Sequence, residues 1–328
     1  MLSAFDAVTN DRDRCTGDTC AWWLLAVMFA TCLAAAYGLG FRVDAWRALP
    51  LAVGLALLGG AALIGRRHAK PRLAAGATAF LHMTLFTLIG VVLAYALAAR
   101  AGALWDARLA AADRALGFDW PAVFDAADRA PVALWIGGLA YHSLTLQMVT
   151  CIVAMSAYAQ FERLRVAVAA AILAGFVTIV VSLWTPAMGN VFDPAHYRRL
   201  WPSIAWLEQA MIAGLRDGTW RVLDLSQLMG IVSFPSYHAT LPVILSWAQR
   251  DTPGWRWVAP VWAGVTIVAT PLFGGHYGVD VLAGLALAPL ALAIAPRLMR
   301  SRRRSSNALA SHTDMAHRPG VGTDHGTG

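Results

Sequence analysis

Apolar windows of roughly 20 residues recur along this chain and constrain it more than any other feature. One such helix spans a hydrocarbon core of ~30 Å. Only helices and closed barrels satisfy their backbone groups inside lipid. Candidate spans are 21–40, 48–65, 78–99, 133–157, 165–186, 235–249, 256–273 and 277–296, the sixth of them short. Composition agrees: 14% of residues are charged, against about 25% in soluble domains. The expectation is an all-α integral membrane protein. Residues 1–20 mix acidic and basic side chains, and span 21–40 is too long for a signal h-region, so no cleavable signal is expected.

The net charge of +7 does not point to nucleic acid, because the basic residues gather at span ends. Arg66, Arg67, Lys70 and Arg72 follow the second span, Arg163 and Arg165 lie between the fourth and fifth, and Arg297, Arg300 and Arg302–Arg304 follow the last. The positive-inside rule makes these loops cytoplasmic. Both termini are then inside, and the starts of the sixth and eighth spans face outward. Localisation in a bacterial inner membrane, with the site toward the periplasm, is the corresponding expectation. Cys15, Cys20, Cys32 and Cys151 form no recognisable disulfide or metal pattern.

Residues 100–131 read as two short interfacial helices, the second starting at Asp119-Trp-Pro121 with a capping carboxylate. In the 187–232 connection, Pro202-Ser203 can open a helix whose apolar face carries Ile204, Leu207, Met211 and Leu215, with Gly218 ending it. Residues 298–328 read as a disordered cytoplasmic tail. The expected division is 1–20 as a cytoplasmic segment, 21–72 as two extra helices, 73–297 as a six-helix catalytic domain, then the tail.

Two histidines open late spans: His238 in Ser233-Phe-Pro-Ser-Tyr-His238, and His276 in Gly274-Gly-His276-Tyr-Gly-Val-Asp280. Between Arg256 and Arg297 the only charged residue is Asp280; an ionisable group there is costly and marks a functional position. His276 and Asp280, at i and i+4, share a helix face. Asp280 can accept the imidazole N–H, leaving the other nitrogen to attack phosphorus. Pro235 suits a first helical turn, so Ser236, Tyr237 and His238 sit at a helix N-terminus, where free N–H groups favour anions. The plain alternatives are an interfacial cap at 236–238 and a structural His–Asp pair.

The pair Pro235-Ser-Tyr-His238 and His276-x3-Asp280, 38 residues apart, resembles the type 2 phosphatidic acid phosphatase superfamily. The wording Phe-Pro-Ser-Tyr-His and Gly-His-Tyr-x2-Asp-x3-Gly284 looks more like its branch of inositol phosphorylceramide synthases and bacterial relatives. The likeness covers about residues 75–297. It implies His276 as nucleophile, Asp280 as its partner, His238 as general acid and base, and Ser236 as a phosphate contact. The family's upstream Ser-Arg pair is replaced by Ala269 and Thr270, and its Lys-x6-Arg-Pro clamp is absent. Arg216 is the first substitute for the lost cations, then Arg198 and Arg199; Tyr237 is a further phosphate candidate. Tyr141 and Gln147 are candidates for the substrate pocket, with interhelical bonding as the plain reading of Gln147.

The reading is a lipid phosphatase or phosphotransferase working through a phosphohistidine, with transfer to a small alcohol favoured over transfer to water. A membrane lipid is the expected substrate; no metal, cofactor or nucleic acid is expected, and the oligomeric state stays open. The rival from another class is a transporter using His142, Gln147 and Asp280 as a polar pathway.

Overall fold

A computed structural model describes the backbone of residues 2–316 and the side chains of residues 18–300. In chain order the elements are α1 (Leu2–Ala36), β1 (Arg42–Val43), α2 (Ala45–Arg67), α3 (Pro71–Arg100), α4 (Asp106–Ala115), α5 (Trp120–Asp128), α6 (Pro131–His142), α7 (Leu144–Ala157), α8 (Phe161–Val181), α9 (Ile204–Asp217), β2 (Val222–Leu223), α10 (Tyr237–Gln249), α11 (Trp255–Gly274) and α12 (Gly278–Ala316). Six helices, α1 from Asp18, α2, α3, α8, α11 and α12 to Arg300, are long and apolar enough to cross a membrane. The chain is thus a multi-pass helical membrane protein.

The fourth sequence span is bent. Helices α6 and α7 meet at Ser143 with an angle of 56°. Helix α10 has only 13 residues, yet α7, α8, α11 and α12 all pack around it. Thirteen residues rise about 20 Å, short of a ~30 Å hydrocarbon core, so α10 rests on its helical neighbours along most of its length. By contrast α2 lies at the rim: 11% of its apolar window is buried, against 61% for α8.

The short helices expected between spans are present. Asp119 caps α5 by accepting from the Ala122 N–H, and Ser203 caps α9 by accepting from the Trp206 N–H. Gly218, at φ 92°, closes α9. Helix α12 runs on through residues 301–316, part of the expected tail; residues 317–328 of that tail lie outside the described part. The all-helical expectation omitted a two-residue parallel pairing, Arg42 with Val222 and Val43 with Leu223. Beside it Arg47 pairs with Asp224 at 2.5 Å, tying the start of α2 to the segment that leads into α10.

Close approach of α10 and α12 sets the site. A Cβ at Gly284 would fall on the Ser236 carbonyl, so only glycine lets the two helices meet there. Thr240 Oγ1 donates to the Gly284 carbonyl at 2.9 Å, and the Ser236 N–H donates to the Asp280 carbonyl at 2.9 Å.

Candidate active site

These contacts bring the two histidine motifs together. The rings of His238 and His276 are 6.0 Å apart, centre to centre. His276 stands on the segment between α11 and α12, entered through Gly275 at φ 73°, a left-handed conformation that favours glycine. Its Nδ1 lies 3.0 Å from the Ser233 carbonyl and 3.5 Å from Asp280 Oδ2. Both neighbours are acceptors, so Nδ1 carries the proton and Nε2 keeps its lone pair. The nearer acceptor is therefore the Ser233 carbonyl, with Asp280 supplying charge from slightly farther away. The sequence named Asp280 as an acceptor for the imidazole N–H; the Ser233 carbonyl is a second, nearer one.

Asp280 is fully buried. Its Oδ2 accepts from the Ser233 hydroxyl at 2.6 Å and from the Tyr277 N–H at 2.9 Å. Ser233 thus holds His276 by its carbonyl and Asp280 by its hydroxyl. The sequence motif began at this residue, but no side-chain pattern indicated its double role.

His238 lies in the first turn of α10. Its ring stacks on Tyr141, 4.6 Å between centres and 20° between planes. Tyr141 is thereby brought into the site, and its hydroxyl and His276 Cδ2 each lie 2.8 Å from where a Cβ on Gly274 would stand. Gln147 is not: its amide donates to Thr266 Oγ1 at 2.9 Å, the Ala140 carbonyl at 3.2 Å and Ser143 Oγ at 3.3 Å. It fastens the α6–α7 bend to α11, and it lines a separate cavity of about 270 Å³ with Trp255 and Trp262. The bend at Ser143 is what turns it away from the histidines.

Ser236 is fully buried, and its hydroxyl caps α10 by accepting from the Ala239 N–H at 3.3 Å. Helix geometry leaves the N–H groups of Tyr237 and His238 without intrahelical acceptors. The Tyr237 side chain goes elsewhere, its hydroxyl donating to the Ala171 carbonyl at 3.1 Å. Any contribution of Tyr237 to an anion at this helix end comes from its backbone. Arg216 donates to the Gly102 carbonyl at 2.7 Å and lines a narrow recess that also contains Ser233. At Arg199 it is the backbone N–H that is engaged, donating to Asp128 at 2.7 Å.

The start of α12 is closed to anions by the protein's own acids. Asp113, fully buried, accepts from the Gly278 N–H at 2.7 Å, the Val279 N–H at 2.8 Å and Trp120 Nε1 at 2.7 Å. Asp106, about two turns earlier on α4, accepts from the Met188 and Gly189 N–H groups and from the Tyr277 hydroxyl. Helix α4 therefore clamps both flanks of His276. In the sequence these aspartates sat among alanines and arginines on an apparently amphipathic surface helix, and nothing local marked them as inward-facing.

A cavity of about 380 Å³ reaches His238 from the apolar side, between α3, α7, α8 and α10. Met83, Phe86, Met148, Ile179 and Leu241 line it.

A sequence model described as the PAP2 superfamily matches residues 107–294, from α4 into α12. No curated protein matches the chain, and no solved structure does. The matched segment covers more than half of the chain and contains both histidine motifs, Asp113 and Ser233. The chain belongs to the PAP2 superfamily, whose activity is of the phosphatase type on phosphate esters.

Proposed function

We propose that this protein takes the phosphoryl group from a lipid phosphate ester through a phosphohistidine at His276, and passes it to an alcohol in preference to water. The observation that carries the reading is the pair of acceptors beside His276 Nδ1, the Ser233 carbonyl at 3.0 Å and Asp280 Oδ2 at 3.5 Å, which favours the Nδ1–H tautomer. With Nδ1–H held by Ser233 and Asp280, the nucleophilic Nε2 is fixed and the developing positive charge on the ring meets a buried carboxylate. As Nε2 bonds to phosphorus, the ester oxygen leaves with a proton from His238. The neutral His238 then takes the proton of the acceptor hydroxyl as its oxygen displaces His276. The free N–H groups of Tyr237 and His238, and the positive end of the α10 dipole, oppose the charge on the equatorial oxygens.

A lipid is favoured as donor because the cavity beside His238 is walled by apolar side chains of the spanning helices. Arg216 remains the proposed cation: the recess it shares with Ser233 places it near the motif, and release from Gly102 would free it for phosphate. The proposed placement is a cell inner membrane, with the site outward and the termini inside.

The test uses purified protein and radiolabelled phosphatidic acid. Acid-labile, base-stable label on the wild type, absent in His276→Ala, is the expected result. His238→Ala is expected to slow turnover by about 10²–10⁴-fold. Turnover retained by His276→Ala would end the proposal. Adding glycerol or inositol separates transfer from hydrolysis, since free phosphate as the sole product indicates water.

A further inference from the structure

Three carboxylates are buried among the described residues: Asp113, Asp280 and Glu208. Asp113 is held by three donors and Asp280 by two, both at Oδ2 with Oδ1 unpartnered, whereas no hydrogen bond reaches the buried Oε1 of Glu208, which is 3% exposed. Glu208 belongs to the inward stripe of α9, with Ala205, Ile212 and Leu215. One turn before it, Ala205 is pressed against the loop of His276: a Cβ at Gly275 would lie 2.5 Å, and one at Gly189 2.9 Å, from the Ala205 methyl. Asn190 follows Gly189, and its N–H donates to the Gly275 carbonyl at 2.6 Å. The side-chain Nδ2 of Asn190 is likewise buried and unpartnered. Glu208 also interacts electrostatically with Tyr141, the ring stacked on His238, and with Tyr95. Buried polar atoms left unpaired are rare and point to a group they are built to meet.

We propose that Glu208 and Asn190 form the acceptor subsite of the phosphoryl-transfer centre, holding hydroxyl groups of the alcohol or water that attacks phosphorus. The proposal rests on the phosphohistidine reading above. A protonated carboxyl and a carboxamide, both on segments packed against the Gly275 loop, can each accept and donate, which suits the hydroxyls of a polyol. Burial pushes the Glu208 carboxyl up to about 8, so near neutral pH it retains a proton to donate. In the transfer step the His276 Nε2–P bond breaks, the acceptor O–P bond forms, and the acceptor proton passes to His238. Glu208 and Asn190 bind and orient the acceptor and exchange no proton.

The full chain, reconstituted in nanodiscs with radiolabelled phosphatidic acid, allows formation and discharge of the phosphohistidine to be timed separately, with water alone and with glycerol or inositol. Glu208→Leu and Asn190→Ala are expected to slow discharge about tenfold more than formation, and to change the ratio of phosphorylated alcohol to free phosphate. An altered rate of discharge to water alone assigns the subsite to water; an effect confined to the alcohol arm assigns it to the polyol. Equal effects on formation and discharge, with an unchanged product ratio, would overturn the subsite. Glu208→Gln, close in shape and neutral, serves if the leucine variant does not fold; it is expected to raise the acceptor KM, and an unchanged KM counts against the proposal. A wild-type protein that never becomes labelled refutes the underlying phosphohistidine reading instead, and the subsite with it.

Discussion

The Nδ1 atom of His276 lies 3.0 Å from the carbonyl oxygen of Ser233, a backbone group that no substitution at 233 removes. The same residue's hydroxyl donates to Asp280 at 2.6 Å. Ring orientation and carboxylate charge are therefore separable by mutation. Ser233→Ala keeps the carbonyl, and Asp280 keeps its charge and the Tyr277 N–H, so kcat is expected to fall only about 3–10-fold, the loss of about 1 kcal/mol from one hydrogen bond. Asp280→Asn keeps the shape but removes the charge that stabilises the imidazolium, and about 10²–10⁴-fold is expected. Steady-state kinetics on both variants decide it; equal losses would contradict the division of roles.

Asp113 meets three donors inside the protein. Asp113→Ala leaves the Gly278 and Val279 amides and the Trp120 indole unpaired, at a cost of about 3 kcal/mol or more. Lower thermal stability in detergent, together with reduced turnover, is expected, because the same helix start carries His276. A variant as stable as the wild type would mean that water replaces the carboxylate without loss.

The cavity beside His238 gives a chain-length test. Thr145 lines it from α7, and Thr145→Phe adds bulk there. Turnover of a long-chain lipid phosphate should fall several-fold relative to a short-chain, water-soluble ester, read as the ratio of kcat/KM values. An unchanged ratio would place the lipid chain elsewhere.

Glu208 predicts a pH dependence of stability. Burial raises its carboxyl from 4.5 to about 8. The folded protein therefore holds this proton more tightly than the unfolded chain. The resulting stability is complete below about 4.5 and is lost as pH rises toward and through 8. Glu208→Gln removes the effect, so its Tm should gain on that of the wild type across this interval. Parallel melting curves at all pH values would show that Glu208 is not held neutral.

The chemistry was written in short motifs, and this is why it was legible. His238, His276 and Asp280 stand out because charge is scarce in apolar helices, and His276 and Asp280 share a face by helix period alone. Caps at Asp119 and Ser203 were equally local. Gln147 and Tyr141, six residues apart in one apolar run, looked alike as pocket candidates. The bend at Ser143 sends one to α11 and the other to His238.

By itself, then, the sequence determined a membrane-spanning helical chain, the helix that starts near Pro235 (two residues later than the proline, with Ser236 as its cap) and the one after Gly275, and the pairing of His276 with Asp280, since each depends on residues within a few turns of one another. Tertiary structure alone decided that α10 is wrapped by four helices, that Ser233 holds both members of that pair, that α4 turns Asp106 and Asp113 toward the residues after His276, and that Asn190, between α8 and α9, and α9 with the buried Glu208 pack at the Gly275 loop. Those relations join positions up to 171 residues apart, as Asp106 and Tyr277 show. Burial of a polar group depends on what packs over it, and no local pattern records that.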